Sequence, residues 1–354
     1  MMVKKAPFLN LNQSSLAARI RRKKLEPVLL IFSAICLLFV LFIFAMATST
    51  AASPDQKLPL KLIPELTIGQ ETEENPTFAF IGYVDTDAKG NIYVLDTKYR
   101  QLKIFKKDGQ LLRTIDIPQG QGPQELNQFS GLAVTPSGRI FINGDRKMIL
   151  YEAEGNYLRT VSVNFHVSCI GSPGTEEIIG IGPYEGKILH VFNDQGQIIS
   201  SFADAFDVPQ EFQQMKMMPM FGAPLIFSCS KDGRIFVMNP HSYEVLIFRN
   251  GKLEAKLNGK NEFYHPIIKK PTKTGLAFIS TAAQVFPAGE YILVYLSTPE
   301  KKSIMADVFL KGKQIGSLEL PGEPKAIDYE GKLYLIDQQE YPRLIRCAPK
   351  VETK

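Results

Sequence analysis

The sequence is poor in the residues from which disulfide frameworks and metal centres are built. It contains four cysteines and four histidines in 354 residues. One cysteine, Cys36, lies in an apolar run, and three further cysteines at wide spacing do not make a disulfide framework. We expect Cys169, Cys229 and Cys347 to be small buried apolar residues, with pairing of Cys169 and Cys229 as the alternative.

Short catalytic and metal-binding motifs are also missing. The sequence has no nucleophile elbow, no H-E-x-x-H and no paired-cysteine metal motif. No histidine has a neighbour at the i+2 or i+4 position suited to metal ligation. We therefore predict no catalytic residue, no metal ligand and no cofactor.

The net charge of +5 is unevenly distributed along the chain. Residues 1–27 contain seven lysines and arginines and one glutamate, which gives +6, so the remaining residues sum to −1. Binding of nucleic acid requires a basic face on the folded domain, whereas here the excess lies in a short N-terminal tail. We predict no nucleic-acid partner.

A run of twenty residues that has Ser33 as its only clearly polar member follows the basic tail: VLLIFSAICLLFVLFIFAMA, residues 28–47. A helix of this length rises about 30 Å, the thickness of the hydrocarbon core of a bilayer. The basic residues before the run place the N-terminus in the cytoplasm. We predict a basic cytoplasmic tail over residues 1–27, a transmembrane signal anchor over 28–47 and a linker over 48–59. The chain would then be a single-pass protein of the cytoplasmic (inner) membrane with an extracytoplasmic, periplasmic domain. The alternative is a signal peptide cleaved after Ala45-Met46-Ala47.

From residue 60 onward, short runs rich in β-branched and aromatic residues alternate with turns. A turn glycine followed by an aromatic strand recurs as KGNIYVLD, SGRIFING, DGRIFVMN, AGEYILVY and EGKLYLID, each followed by a second strand and turn. Units of about 40–60 residues with four strands each are typical of propeller blades. The predicted blades are residues 78–128, 129–164, 165–212, 222–261, 282–322 and 323–347.

The last predicted blade lacks a fourth strand, and the segment LKLIPELTIG at 60–69 is a strand without a blade. We expect this N-terminal strand to complete the last blade and close the ring, which leaves no exposed sheet edge. The fold class predicted is therefore all-β, a six-bladed β-propeller over residues 60–347, preceded by one transmembrane helix and followed by a polar tail at 348–354.

The segments IYVLDTKYRQLKIFKKDGQLLRTI and IFVMNPHSYEVLIF resemble NHL repeats, which build six-bladed propellers. GQGPQEL at 120–126 resembles the G-x-G-P-x-E-[LF] connector of bacterial extracytoplasmic members of that group. The resemblance covers residues 60–347, about four-fifths of the chain. It implies the fold, but not the function, since such propellers include binding modules, scaffold proteins and lyases.

Strand direction decides which loops share a face. If the strands of a blade are lettered a to d from the channel outward, the short a–b and c–d turns lie on one face, called here the turn face. The longer b–c loops and the d–a connections between blades lie on the opposite face, called here the connector face. Because binding sites concentrate on variable loops of a rigid scaffold, we place any ligand on the connector face. The candidate rim residues are Asp96, Arg100, Glu125, Arg146, His166 and His241.

GQGPQEL belongs to the connector face, between the first two blades. Two glycines could bring backbone N–H groups to a phosphate, but no helix follows, Pro123 lacks an N–H, and Glu125 would repel an anion. We interpret the segment as a crossover in which the Glu125 carboxylate accepts a contact from the backbone or an arginine, with a contribution to a ligand rim as the alternative.

Three other segments could be read as a metal site or as a surface patch. DTDAKGNIYVLD at 85–96 has the acidic spacing of a calcium loop, but Lys89 occupies a ligand position, and we predict a turn. The methionine-rich stretch FQQMKMMPMFGAP at 212–224 could bind Cu(I), although an apolar loop packed over the propeller is the simpler interpretation. Lys269, Lys270 and Lys273 are expected to form a solvated patch.

The leading functional prediction is a membrane-anchored, non-catalytic module that binds a protein, peptide or glycan through its connector face. The alternative is a metal-dependent enzyme of the lyase or lactonase kind with a divalent metal in the central channel. Similar propellers among the amidating lyases use several channel-lining histidines. Here we expect only His166 to begin an innermost strand, with His190 in a middle strand and His241 in a b–c loop.

Overall fold

The structure, a computed structural model, describes residues 58–69, 77–215, 219–224, 226–272, 275–279, 281–297, 304–338 and 341–352, with backbone alone for residues 219, 270–272, 275–279 and 282. The predicted tail, the predicted membrane span at 28–47 and most of the linker lie outside these residues. Within the described part of the chain, no helix has the length and apolar character needed to cross a membrane.

The described chain from residue 58 onward forms six four-stranded antiparallel sheets arranged as blades. Blade 1 contains β2 (Ile81–Thr86), β3 (Ile92–Asp96), β4 (Gln101–Phe105) and β5 (Leu111–Asp116). Blade 2 contains β6 (Gly131–Val134), β7 (Ile140–Gly144), β8 (Lys147–Tyr151) and β9 (Tyr157–Ser162). Blade 3 contains β10 (Cys169–Gly171), β11 (Ile178–Tyr184), β12 (Lys187–Phe192) and β13 (Ile198–Asp204). Blade 4 contains β14 (Ser228–Cys229), β15 (Arg234–Met238), β16 (Glu244–Arg249) and β17 (Lys252–Asn258). Blade 5 contains β20 (Ala282–Ala288), β21 (Tyr291–Ser297), β22 (Met305–Leu310) and β23 (Lys313–Glu319).

Blade 6 is closed by the N-terminal strand, as the sequence predicted. Its own strands are β24 (Glu323–Ile327), β25 (Leu333–Asp337) and β26 (Arg343–Val351), and β1 (Leu60–Ile68) pairs with β26 as the outermost strand. The register runs from Leu60 opposite Val351 to Ile68 opposite Leu344. The expected boundary at residue 347 is therefore corrected, because residues 348–351 continue β26 and pair with residues 60–63 instead of forming a free polar tail.

The core lies in the seams between neighbouring blades. Six clusters of buried apolar side chains each join two adjacent blades, and together they run round the whole ring. The seam between blades 1 and 2, for example, packs Tyr93 and Leu95 against Leu132 and Val134. The second strands are mainly buried, as in IYVLD of β3, whereas the outermost strands are mainly exposed, as in LLRTID of β5. Each fully buried aliphatic or aromatic side chain contributes about 1.5–3 kcal/mol relative to exposure, so the seams hold the blades in a ring.

Two insertions on the connector face flank blade 4. The first contains a 3₁₀ helix, Gln210–Met215, and one helical turn, Pro219–Gly222. The second is a hairpin of β18 (Ile268–Thr272) and β19 (Gly275–Ile279), which the sequence did not predict. Phe212, Phe221 and Ile267 form a small buried cluster between the insertions, with Met215 and Met220 packed against it. This packing agrees with the apolar interpretation of the methionine-rich stretch.

Of the three lysines of the second insertion, the structure describes the side chain of Lys269. Lys269, in β18, is exposed, and its Nζ lies 5.6 Å from the centre of the Phe212 ring. Lys273 is outside the described residues. The solvated patch of three lysines therefore stays a prediction, and Lys269 contributes a cation–π contact to the insertion.

Candidate functional site

The innermost strands of the six blades surround a central cavity with a volume of about 640 Å³. Every blade contributes to its wall, and one lining residue from each of blades 1 to 6 is Val84, Leu132, Ile170, Phe227, Gln284 and Ala326. A cavity of this size is in the usual range for sites that bind small molecules or inserted side chains.

A buried ion pair crosses the ring on the side of the turn face, and its carboxylate, Asp85, lines the cavity. Lys231, in the a–b turn of blade 4, places its Nζ 2.6 Å from Oδ1 of Asp85, near the end of β2 in blade 1. The two side chains are only 4% and 9% exposed. Tyr329, from the a–b turn of blade 6, lies beside the pair, with its ring centre 5.5 Å from the lysine Nζ. Lys231, Asp85 and Tyr329 are called the floor below.

Asp85 also ties neighbouring strands together at the floor. Its Oδ1 accepts the N–H of Thr86 at 2.8 Å, and its Oδ2 accepts the N–H of Val134 in blade 2 at 2.7 Å. Burial raises the pKa of Asp85, while the attraction of Lys231 and the hydrogen bonds oppose that rise. The carboxylate thus connects three blades, and its charge in the interior depends on Lys231.

The opposite end of the cavity reaches the connector face. Arg100 from a b–c loop, and Asn127 and Phe129 from the connection between blades 1 and 2, belong to its lining. Phe80, which precedes β2, also lines this end and is 49% exposed. This end is called the mouth below. The cavity therefore extends from Asp85, on the side of the floor, to the mouth, on the face where the sequence analysis placed the site.

The wall of blades 5 and 6 is polar. Lys325 Nζ lies 2.7 Å from Oε1 of Glu323 on β24, and both side chains line the cavity. Gln284 of β20 is paired in register with Tyr295 of β21, and both also line it. The Oε1 atom of Gln284 is buried and has no hydrogen-bond partner among the described residues. Burial, with a smaller contribution from Glu323, raises the pKa of Tyr295, so its hydroxyl stays protonated at neutral pH.

The wall of blades 2 to 4 is mainly apolar and includes two thiols. Cys169 and Cys229 line the cavity from neighbouring innermost strands, and both are free thiols, as is Cys347 in β26. Burial raises the pKa of Cys169 to about 11 and that of Cys229 well above its usual value. Cys169 and Cys347 are buried, as expected, whereas Cys229 is half-buried. The predicted alternative, a Cys169–Cys229 disulfide, is not formed in this structure.

Two of the predicted rim residues, Asp96 and Arg100, support loops. Asp96 is fully buried, and its carboxylate accepts four backbone N–H groups, including those of Ala79 at 2.6 Å and Tyr99 at 2.8 Å. Arg100 donates from Nε to the carbonyl of Ile117 at 3.1 Å and from its terminal nitrogen to the carbonyls of Pro118 and Leu126. Its guanidinium carbon also lies 4.6 Å from the centre of the Phe129 ring. Both residues therefore fix the loops at the mouth.

Glu125 occupies the concave side of its own loop. Its Oε2 accepts the N–H of Gly122 at 2.8 Å. A Cβ atom added at Gly120 or Gly122 would overlap this carboxylate, so the two glycines allow its close approach. The N–H of Gly122 is thus already bound by a carboxylate of the chain, which occupies the place of an external anion. This geometry agrees with the crossover interpretation of GQGPQEL.

The remaining predicted rim residues are spread over three connections. Arg146 is exposed in the b–c turn of blade 2, at a φ of 60°. His166 is exposed in the connection before β10, which starts only at Cys169, so the expectation that His166 begins an innermost strand is corrected. His241 has Nε2 2.9 Å from the carbonyl oxygen of Phe221. Of the six predicted rim residues, Arg100 is the one that lines the cavity.

The described residues do not bring metal ligands together. No group of three histidine, cysteine, aspartate or glutamate side chains in this part of the chain could hold a metal ion. His190 is buried in β12, with Nδ1 2.8 Å from Oγ of Ser201 and Nε2 2.8 Å from the carbonyl oxygen of Gly182. In DTDAKGNIYVLD, Asp87 accepts the N–H groups of Lys89 and Asn91, which agrees with the predicted turn.

These observations define the class of protein: the chain is a six-bladed β-propeller with a central cavity lined by all six blades. A family model, DUF5128, described as a 6-bladed beta-propeller, matches residues 68–179, which form blades 1 and 2 and part of blade 3. No curated protein matches the chain. The finer resemblance to NHL repeats stays a prediction.

Two solved structures show the same fold. The chain is similar to a Bacteroides fragilis NCTC 9343 protein classed as exported, with 12% identity and a TM-score of 0.56, over 86% of this chain and 98% of that one. It is also similar to a member of the DUF4221 family from Bacteroides vulgatus, with 11% identity and a TM-score of 0.53, over 82% of this chain and 99% of the other. At these identities, the likeness concerns the fold alone.

Proposed function

We propose that the chain is a non-catalytic binding module that takes a protein, peptide or glycan ligand on its connector face, with the mouth of the cavity at the centre of the site. The observation that carries this proposal is the cavity itself: all six blades line it, and it reaches the connector face at the mouth, among a b–c loop and the connections between blades. Apolar walls with a few convergent polar groups are typical of binding pockets.

The arrangement of ionisable groups favours binding over catalysis. Along the cavity, Lys231 is paired with Asp85, and Lys325 is paired with Glu323. The thiols of Cys169 and Cys229 have raised pKa values, which keeps them in the weakly nucleophilic protonated form. Nucleophilic catalysis requires a side chain activated by an adjacent base or a lowered pKa, and the described cavity wall offers neither to its thiols.

We further propose that the module is extracytoplasmic and anchored in the cytoplasmic membrane. The apolar run at 28–47, with its preceding basic cluster, supports this location. The likeness to a protein classed as exported is consistent with it. A module held at the membrane by a linker would present its connector face to partners within reach of that linker.

The test is affinity capture with the full-length protein in detergent as bait for membrane and soluble extracts, followed by mass spectrometry, with a glycan array in parallel. Phe80 and Leu112 provide a matched pair of variants, because their exposed fractions are 49% and 48%, whereas only Phe80 lies at the mouth. We expect Phe80→Ser to abolish capture and Leu112→Ser to leave it unchanged. A ligand retained by Phe80→Ser, or no reproducible ligand at all, would contradict the proposal.

A further inference from the structure

The cavity wall of blade 5 contains an acceptor that the described protein groups do not use. Gln284 lies on the innermost strand β20, its side chain lines the cavity, and its Oε1 is buried without a hydrogen-bond partner among the described residues. Buried polar groups in folded proteins nearly always have a partner, because burial without one costs free energy. The Oε1 atom is therefore the natural position for a donor group of a ligand.

The charges beside Gln284 favour a neutral donor over an anion. Glu323 and Lys325 form a 2.7 Å ion pair on the same wall, so the lysine charge is already compensated. Asp85 at the floor is likewise compensated by Lys231. An incoming carboxylate or phosphate would meet the glutamate without an unpaired cation on this wall. An amide N–H would bind Gln284 Oε1 without such repulsion.

The wall of blades 2 to 4 favours a ligand that carries an apolar group next to that donor. Leu132, Ile170 and Phe227, from blades 2, 3 and 4, are buried apolar residues that line the cavity. A sugar would place several hydroxyls against this wall, away from water and without partners, which is unfavourable. An aliphatic or aromatic side chain would instead gain free energy from its burial there.

We infer that the mouth-side part of the cavity is a peptide-binding pocket, in which one apolar side chain of the ligand packs against the wall of blades 2 to 4 and an adjacent amide N–H donates to Oε1 of Gln284. This inference rests on the proposed function and narrows it from protein, peptide or glycan to an extended peptide segment. Phe80 and Phe129 at the mouth would flank the segment on either side of the inserted group.

The first test uses two small probes that share a 3-phenylpropanoyl group. Both 3-phenylpropanamide and methyl 3-phenylpropanoate carry a phenyl group, but only the amide donates an N–H. Binding to the full-length protein is measured by ligand-observed NMR. We expect the amide to bind about 3- to 10-fold more tightly than the ester, the ratio that corresponds to one neutral hydrogen bond. Equal binding of the two probes, or binding of neither, would overturn the inference.

Variants at residue 284 assign the effect to its oxygen. Gln284→Leu removes the acceptor at nearly the same size, and we expect it to abolish the preference for the amide. Gln284→Glu keeps an acceptor oxygen, and we expect it to retain the preference. The unfolding temperature of each variant is measured first, to show that the propeller is intact. An amide preference that persists in Gln284→Leu would place the hydrogen bond elsewhere and overturn the assignment.

The last test separates this inference from the proposed function. A display library of random linear peptides is selected on the full-length protein, and 3-phenylpropanamide is added as a competitor. We expect selected peptides to share an aromatic or branched aliphatic anchor and to be displaced by the amide. Capture of a Phe80-dependent ligand that the amide does not displace would leave the proposed function standing and overturn the pocket. If the amide binds but no macromolecular ligand is found, the pocket stands and the proposed function is overturned.

Discussion

Lys231 and Asp85 meet across the centre of the ring, with the ammonium nitrogen 2.6 Å from the carboxylate oxygen, although they belong to blades 4 and 1, which lie opposite each other in a ring of six. Since both side chains are almost fully buried, their desolvation opposes the gain from their attraction. The pair is thus a poor source of net stability. It does, however, fix which turns meet at the floor, and it is sensitive to the loss of either partner.

Replacement of Lys231 by methionine should destabilise the propeller strongly. The change leaves the Asp85 carboxylate buried without its cation, and removal of one partner from a buried pair costs about 3–5 kcal/mol. The free energy of unfolding at neutral pH, from urea denaturation, measures the loss. The double variant Lys231→Met with Asp85→Asn should recover part of it, because no charge then remains at the floor.

Lys187 and Asp204 provide the control for this prediction. Their ion pair has nearly the same length, 2.5 Å, but the side chains are 41% and 84% exposed. Lys187→Met should cost less than about 1 kcal/mol, as exposed pairs usually do. Equal losses in Lys231→Met and Lys187→Met would show that burial does not determine the effect.

The loss in free energy of unfolding caused by Lys231→Met should also depend on pH. Burial raises the pKa of Asp85, and Lys231 is the first of the groups that oppose this rise, so the variant should raise the pKa further. A carboxyl with a raised folded-state pKa destabilises the fold as pH rises through that pKa, and this cost is absent below the unfolded value of about 3.9. The difference between wild type and variant should therefore shrink from pH 7 toward pH 4.

The sequence predicted the ring far better than the site. Blade number follows from a local repeat of turn glycine and aromatic strand, and the partner of the N-terminal strand follows from a strand missing at the end of the chain. The floor has a weaker signal: Lys231 and Tyr329 each stand two residues before the glycine of an a–b turn, in SKDG and DYEG. Which of these turn residues meet depends on ring closure, and a single sequence does not specify that geometry.

The predicted rim shows why polar residues in loops are ambiguous. Asp96 and Arg100 stand where a binding residue would stand, but their side chains bind backbone groups that the loops leave unpaired. Both uses favour polar residues at strand ends, so the pattern cannot distinguish them. Gln284 was missed for the opposite reason. It interrupts the apolar strand AAQVFPA, and a polar residue within an innermost strand was the available signal.

The contact between Glu125 and its glycines can be tested by a double-mutant cycle. Glu125→Ala removes the acceptor of the Gly122 N–H, 2.8 Å away, and should cost about 1 kcal/mol. Gly120→Ala should cost more in the wild type, because the added Cβ would overlap the Glu125 carboxylate. The same glycine change should cost less in the Glu125→Ala background. Additive losses in urea denaturation would contradict direct contact.

Closure of blade 6 by β1 predicts a sharp dependence on the start of the chain. Residues 58–354 retain β1, whereas residues 70–354 leave the outer edge of β26 without a partner strand and lose the buried Leu60 and Ile68. We expect the longer fragment to unfold cooperatively and the shorter one to lose at least about 5 kcal/mol or to aggregate, from the lost burial and backbone hydrogen bonds. Urea denaturation and size-exclusion chromatography compare the two. Equal denaturation midpoints would show that β1 does not close the ring.

His190 should make stability fall in acid. Burial lowers the pKa of its ring, so His190 is neutral at pH 7, and because Nε2 donates to the carbonyl of Gly182, Nδ1 then accepts from Ser201. Below the unfolded value of about 6.5, the unfolded chain binds a proton that the folded chain resists, and stability falls by up to about 1.4 kcal/mol per pH unit until the folded pKa is reached.

The variant His190→Gln lacks this titration, so its stability relative to wild type should improve as pH falls from 7 to 5. Urea denaturation at several pH values measures the trend, and His166→Gln, at an exposed connector position, reports the background effect of removing one imidazole. A constant difference between His190→Gln and wild type over this range would mean that the ring is protonated in the folded state as readily as in the unfolded chain. The donor at Nε2 would then be present in both charge states, and the buried seam around β12 would have to accommodate a cation.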